Sequence, residues 1–242
     1  AWAGEGSSKL PPAIMALQPV APHAVLITDA EREARLRKAQ RLMAENGMDA
    51  IFMGGGTSLD YFTGIHWGVS ERTSGMLLPK SGDPVFITPA FERERTLEQI
   101  TFGNKDVRTW QENESPYAMI ASVLAGWRVG TGTLGIEEEL RSAKQFGIAT
   151  AAPHVTLVSA TPVTAGCRSI KSPAELALMQ LANDATLAVY HAVWKALQPG
   201  MTQDTIYALV DAAYARQGLR GEVSVNVDKF TASPHGSPVP QQ

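Results

Sequence analysis

At 242 residues and 44% hydrophobic side chains, the chain is long enough to bury one sizeable core or two smaller ones without disulfides or metals. Its 21 basic and 24 acidic side chains leave a formal charge of -3, with no positive surplus for phosphates or anionic lipid, so no nucleic acid partner and no membrane surface is expected. No apolar run approaches the roughly 20 residues of a membrane-spanning helix, and Cys167, the single cysteine, excludes an intrachain disulfide and a thiolate metal cluster.

In chain order, residues 1–22 read as an extended amino-terminal arm. Pro11-Pro12, Pro19 and Pro22 interrupt any continuous helix or central strand, and such arms often pack on a neighbouring subunit. The small, polar start Ala1 to Ser8 fits the remnant of a removed export signal or an unstructured terminus; with cysteine usage neutral, it favours a periplasmic or exported protein over a cytoplasmic one. At Thr28-Asp29-Ala30-Glu31 a capping box opens a helix with Leu36, Ala39, Leu42 and Met43 as its stripe and Gly47 as its terminator. Strands are expected at Ala50–Met53, Gly75–Leu78, Val85–Thr88, Val107–Trp110, Leu134–Glu137 and Val155–Ser159, and Lys80-Ser81-Gly82-Asp83 supplies a hairpin turn. Helices fit Phe91–Ile100, Pro116–Gly126 and Arg141–Thr150. Together these give an α/β domain over residues 23–160, a mixed sheet flanked by helices.

Residues 161–170 read as a linker. From 171 to 242 the pattern changes to two longer helices and one strand. Ser172-Pro173-Ala174-Glu175 is a second capping box, and Leu176, Met179, Leu187, Tyr190, Trp194 and Leu197 recur at helical spacing. Thr202 caps a further helix closed by Gly218, and Val223–Phe230 reads as a strand. Two helices and one strand cannot satisfy each other's edges and faces, so this second unit reads as incomplete.

No HExxH pair, nucleophile elbow, GxGxxG or phosphate-binding loop is present; Gly54-Gly55-Gly56-Thr57-Ser58 lacks the necessary lysine and reads as a permissive turn. His191 reads as an ordinary helix residue and His154 as a turn residue. Three segments remain. Leu59-Asp60-Tyr61-Phe62-Thr63-Gly64 is followed by Trp67, Glu71 and Arg72; Arg168 to Leu176 is followed by Leu197 to Thr202; and Ser233-Pro234-His235-Gly236 follows the last expected strand. Local physics explains each without a ligand: aromatic packing for Tyr61, helix capping for Arg168–Glu175, a loop position for His235.

Taken in this order, the segments resemble the creatinase and Xaa-Pro peptidase family, the aminopeptidase P and prolidase group with the pita-bread catalytic fold. Tyr61-Phe62-Thr63-Gly64 matches a motif of that family's amino-terminal α/β domain. Arg168 to Glu175 and Pro199-Gly200-Met201-Thr202 match the helix junctions that open its catalytic domain, and Pro234-His235 matches a later segment. The resemblance implies a creatinase-like α/β domain followed by an incomplete α+β pita-bread catalytic domain. It further implies a full-length metallopeptidase that hydrolyses Xaa-Pro bonds in dipeptides or short peptides. Two divalent ions, Mn, Zn or Co, would be held by two Asp, one His and two Glu downstream of this segment, so no metal ligand is assigned here and the segment alone is expected to be inactive. His235 takes the catalytic role, donating to the carbonyl oxygen as charge develops. Trp67 and Arg72 are the substrate-binding candidates, Arg72 as partner of a dipeptide carboxylate. A homo-oligomer, dimer or tetramer, is expected. A non-catalytic peptide-binding member and a creatine-type amidinohydrolase are the alternatives.

Overall fold

The computed structural model describes residues 10–226 and Thr231. The chain divides into two compact units, Ile27–Lys171 and Ala1–Leu26 with Ser172–Gln242.

In chain order the elements are α1 (Pro12–Met15), α2 (Asp29–Glu45), β1 (Ala50–Gly54), α3 (Thr57–Thr63), β2 (Gly75–Pro79), β3 (Val85–Pro89), α4 (Arg93–Gln99), β4 (Val107–Trp110), α5 (Pro116–Gly126), β5 (Thr133–Ile136), α6 (Ser142–Ala151), β6 (Thr156–Ser159), α7 (Thr161–Arg168), α8 (Pro173–Ala196) and α9 (Gln203–Arg216). None of the described helices is long and apolar enough to cross a membrane.

The Ile27–Lys171 unit is built on a six-stranded sheet in the order β4-β3-β2-β1-β5-β6. β1 runs antiparallel to β2 and β2 antiparallel to β3, whereas the pairs β3–β4, β1–β5 and β5–β6 are parallel. Five strands therefore share one direction, and β2 alone is reversed. The apolar runs that predicted strands are continuous rather than alternating because both faces are covered. Ile51, Met53, Met76, Leu78 and Phe86 pack with Leu36, Ala39 and Met43 of α2 and Val163 and Cys167 of α7. Ala50, Phe52, Leu77, Val85 and Ile87 point the other way, onto Ile120 and Leu124 of α5 and Ile148 of α6. Successive residues of β1 thus serve opposite cores, as the two-residue period of a strand requires.

Both expected capping boxes form. Thr28 N–H donates to the Glu31 carboxylate at 2.8 Å while Glu31 N–H donates to Thr28 Oγ1 at 3.3 Å. Ser172 and Glu175 repeat the exchange at 2.7 and 3.2 Å.

Four readings need correction. The segment read as a linker is helical over Thr161–Arg168, with Pro162 in its first turn, where a missing N–H is harmless; Val163 and Cys167 are buried against α2. The arm is not wholly extended, since Pro12–Met15 forms one helical turn and Ile14, fully buried, packs on this chain's own α8 and α9. Gly54 to Ser58 is only partly a turn, because α3 begins at Thr57. The strand expected over Val223–Phe230 does not form at residues 223–226. There Val223 packs on the helices and Gln203 Nε2 donates to the Val225 carbonyl at 2.6 Å, a side-chain tether in place of a ladder; residues 227–230 lie outside the described residues.

Within the second unit α8 buries Val189, Ala192, Val193 and Ala196 against α1 and α9. The larger stripe read from the sequence points elsewhere: Leu176 is 54%, Leu187 55% and Trp194 76% exposed. Small side chains sit where helices approach closely, and an apolar groove bordered by Tyr190, Trp194, Ile206 and Val223 lies beside the stripe.

Candidate functional site

Because β1, β3, β4, β5 and β6 run the same way, their carboxyl ends lie along one edge of the sheet, which is where ligands gather in open α/β folds. The reversed strand β2 is entered from that edge by the loop of residues 64–74, and this loop carries both substrate-binding candidates, Trp67 and Arg72. The site is defined by what holds the loop.

Its start is fixed at Gly64, in the left-handed region at φ 76°, where α3 ends and Gly64 N–H donates to Asp60 O at 2.7 Å. Ile65 and Thr73 anchor its two ends in the interior. The glycine turn after β1 has a steric purpose: a side chain on Gly55 would place its first carbon 2.6 Å from the Gly68 carbonyl and 3.1 Å from that of Trp67. Gly55 N–H also donates to the Ser74 carbonyl at 3.1 Å, and Trp110 Nε1, at the end of β4, donates to the Thr73 carbonyl at 3.0 Å. From α6, Lys144 Nζ donates to the carbonyls of Ser70 and Arg72, each at 2.9 Å. Residues 67–74 are thus a shaped segment whose backbone is held from three neighbouring elements.

Arg72 is exposed and already paired. Its Nε and Nη2 meet the Glu112 carboxylate at 2.7 and 3.3 Å, Nη1 meets Glu71 at 2.7 Å, and the guanidinium lies 5.4 Å from the centre of the Phe91 ring. The Glu112 hydrogen bond holds the Arg72 pKa above its ordinary value and that of Glu112 below its own. A two-oxygen carboxylate therefore sits where the guanidinium would receive a ligand's carboxylate. Trp67 packs against the α2 side of the sheet, with the Arg95 guanidinium 4.7 Å from its ring centre, and its buried indole N–H has no hydrogen-bond partner among the described residues. Tyr61 has a packing role: its hydroxyl donates to the Cys167 carbonyl at 3.2 Å and Arg35 stacks 4.0 Å from its ring centre.

Beneath the glycine turn lies a carboxylate that the sequence did not single out. Glu137, just past β5 and 2% exposed, has its pKa pushed up by burial, opposed by hydrogen bonds from Ser58 and the Gly54 backbone. Glu138 accepts from Thr164 Oγ1 at 2.6 Å. The three-glutamate run at a strand end was the available signal. Glu112 and Lys144 were missed as well, because their partners lie 40 or more residues away in sequence. A cleft of about 270 Å³ bordered by Leu36, Arg37, Gln40, Ile65 and Phe86 contains neither Trp67 nor Arg72.

His235 lies outside the described residues. His191 is exposed on α8 and His154 occupies a turn before β6, as read. Among the described residues no group of three or more His, Cys, Asp and Glu side chains is placed to hold a metal ion. The ligand set implied for this fold is therefore not matched by the described side chains.

An α/β layer domain joined to a capped helical unit defines the class. Residues 35–170 match the family model described as the creatinase/prolidase N-terminal domain, and the chain belongs to that family. An uncharacterized peptidase of Schizosaccharomyces pombe is 30% identical over 243 residues, covering 94% of this chain and 52% of the relative. The Xaa-Pro dipeptidase of Lactobacillus delbrueckii subsp. lactis is 23% identical over 216 residues, covering 84% of this chain and 56% of that protein. The crystal structure of dipeptidase PepE from Mycobacterium ulcerans superposes with a TM-score of 0.75 at 25% identity, covering 90% of this chain and 59% of that one. The fold is thus a creatinase-like α/β domain followed by part of a pita-bread domain, and the three relatives named above are described as peptidases. The chain spans about half the length of the curated relatives it matches.

Proposed function

We propose that the full-length protein is a metal-dependent exopeptidase acting on Xaa-Pro bonds, a dipeptidase or aminopeptidase working as a homo-oligomer. The observation that carries this reading is membership of the creatinase/prolidase family over residues 35–170 together with a built loop presenting an arginine at the carboxyl edge of the sheet. In this reading Arg72 exchanges Glu112 for the substrate's terminal carboxylate, and Trp67 borders the same loop. Exchange is inexpensive because both partners are exposed and a surface ion pair contributes little. His235 donates a hydrogen bond to the scissile carbonyl oxygen as charge develops on it. Two divalent ions, Mn, Zn or Co, would supply the attacking hydroxide when bound, held by carboxylate and imidazole ligands outside the described residues.

The test is product analysis on the full-length protein with manganese, offering Ala-Pro, a longer Xaa-Pro peptide and creatine in parallel. Release of free proline or of the amino-terminal residue, abolished by a chelator and restored by manganese, is the expected result. Turnover of creatine alone would assign an amidinohydrolase. Binding of the peptides without turnover would assign a non-catalytic module.

A further inference from the structure

We propose that Lys144 is the positioning residue of this site: its buried ammonium sets the backbone of residues 70–72 and thereby the place from which Arg72 reaches a ligand carboxylate. The proposal rests on the reading of Arg72 given above.

Lys144 stands where physics disfavours a lysine. It is 7% exposed, so an ammonium is taken out of water. It lies in the first turn of α6, whose amide dipoles present partial positive charge to a cation, and Arg141 at the N-cap adds another. Burial first, and then Arg141, hold its pKa below the ordinary lysine value, with Glu71 opposing them. A side chain needed only for volume would be better served there by methionine or leucine. What the apolar residues lack is the donor that lets one atom hold two carbonyls, those of Ser70 and Arg72, at 2.9 Å each.

The carbonyls of Thr73 and Ser74 are held by Trp110 and Gly55. The outer part of the segment, residues 70–72, depends on Lys144 alone among these three holders. With the backbone fixed, only the Arg72 side chain is left to choose between Glu112, Glu71 and an incoming carboxylate.

The experiment compares wild type, K144M, K144R and R72M in the full-length protein, first by hydrogen exchange and then by steady-state kinetics on Ala-Pro. K144M is expected to speed exchange of the amides of residues 68–72 at least about tenfold while the amides of β1 and β5 stay protected, since only the local opening equilibrium changes. Its KM for Ala-Pro should rise about fivefold with kcat within about twofold, and inhibition by Ala-Pro-amide, which has no carboxylate, should be unchanged. K144R, which keeps the donors, should recover part of both losses. If K144M does not fold, K144Q, whose shorter side chain keeps one donor pair but loses the charge, replaces it, with the same direction of change in exchange and KM and a smaller size. Unchanged exchange in residues 68–72 would overturn the proposal whatever the kinetics. So would a raised KM in R72M beside an unchanged KM in K144M, with the Arg72 reading left standing. An unchanged KM in R72M beside faster exchange in K144M would instead sink the Arg72 reading and sever the link from Lys144 to substrate, so the two failures are told apart.

Discussion

Replacing Arg72 by methionine in the full-length protein is expected to raise KM for Ala-Pro about tenfold while kcat stays within about a factor of two, the pattern of a lost binding contact made equally in ground and transition states. Methionine keeps an unbranched apolar stem but removes every donor from the position, and with them the guanidinium that lies over Phe91. The carboxylate lies away from the bond that breaks, so its loss changes occupancy more than chemistry. Stability should hardly move, because the partners Glu71 and Glu112 are exposed and return to water. Raising salt should weaken the wild type towards the variant, since an exposed pair is screened within about 10 Å at 0.1 M ionic strength. A KM that is the same in both proteins would remove Arg72 from the site.

Gly75→Ala is expected to be the most damaging small change in the α/β unit, costing on the order of 3 kcal/mol as overpacking against backbone. The reason is contact rather than conformation. The added methyl carbon would clash with the Met53 carbonyl oxygen and lie 3.0 Å from Phe52 Cζ and 3.1 Å from Gly54 Cα. Gly75 pairs with Gly54 across β1 and β2, and Phe52 is fully buried, so none of these neighbours can step aside without opening the sheet. In a domain of this size the loss corresponds to a fall in Tm of about 6–12 °C. The opening would come where residues 64–74 enter β2, so activity should fall with stability. Gly126→Ala is the control. A methyl there meets nothing within 4 Å at the end of α5, and the variant should be neutral or more stable by up to about 1 kcal/mol.

What could be read from the sequence divides along physical lines. The six strands were legible because each is a short apolar run bounded by turn residues, and both long cores follow from them. Helices with a side-chain cap, at Thr28, Ser115, Ser172 and Thr202, announced themselves one residue before they began. Three that lack one, α1, α3 and α7, were missed. α3 starts after Gly56, whose φ of 139° is open to glycine and read as a simple turn, and α7 hides in a Thr-Pro-Val-Thr-Ala-Gly composition that helix propensity alone disfavours. In α8 the larger apolar stripe drew attention away from the alanines and valines that face its neighbours, since burial there is decided by how close two helices can come.

The site shows the same division more sharply. Trp67 and Arg72 could be named because they follow a motif, but what fixes them could not. Gly55 is needed for the backbone of residues 67–68, Lys144 for that of residues 70–72, and Glu112 for the guanidinium, and all three act on residues distant in sequence. The one local sign was a lysine in the first turn of a helix, against the dipole.

The most direct test of the central claim is the ratio of kcat/KM for Ala-Pro to that for Ala-Ala, measured on the full-length protein with manganese by release of the carboxyl-terminal amino acid. An Xaa-Pro peptidase is expected to favour Ala-Pro by at least about a hundredfold, the discrimination a pocket shaped to one side chain can supply. Equal rates on the two dipeptides, or release from neither, would contradict the account.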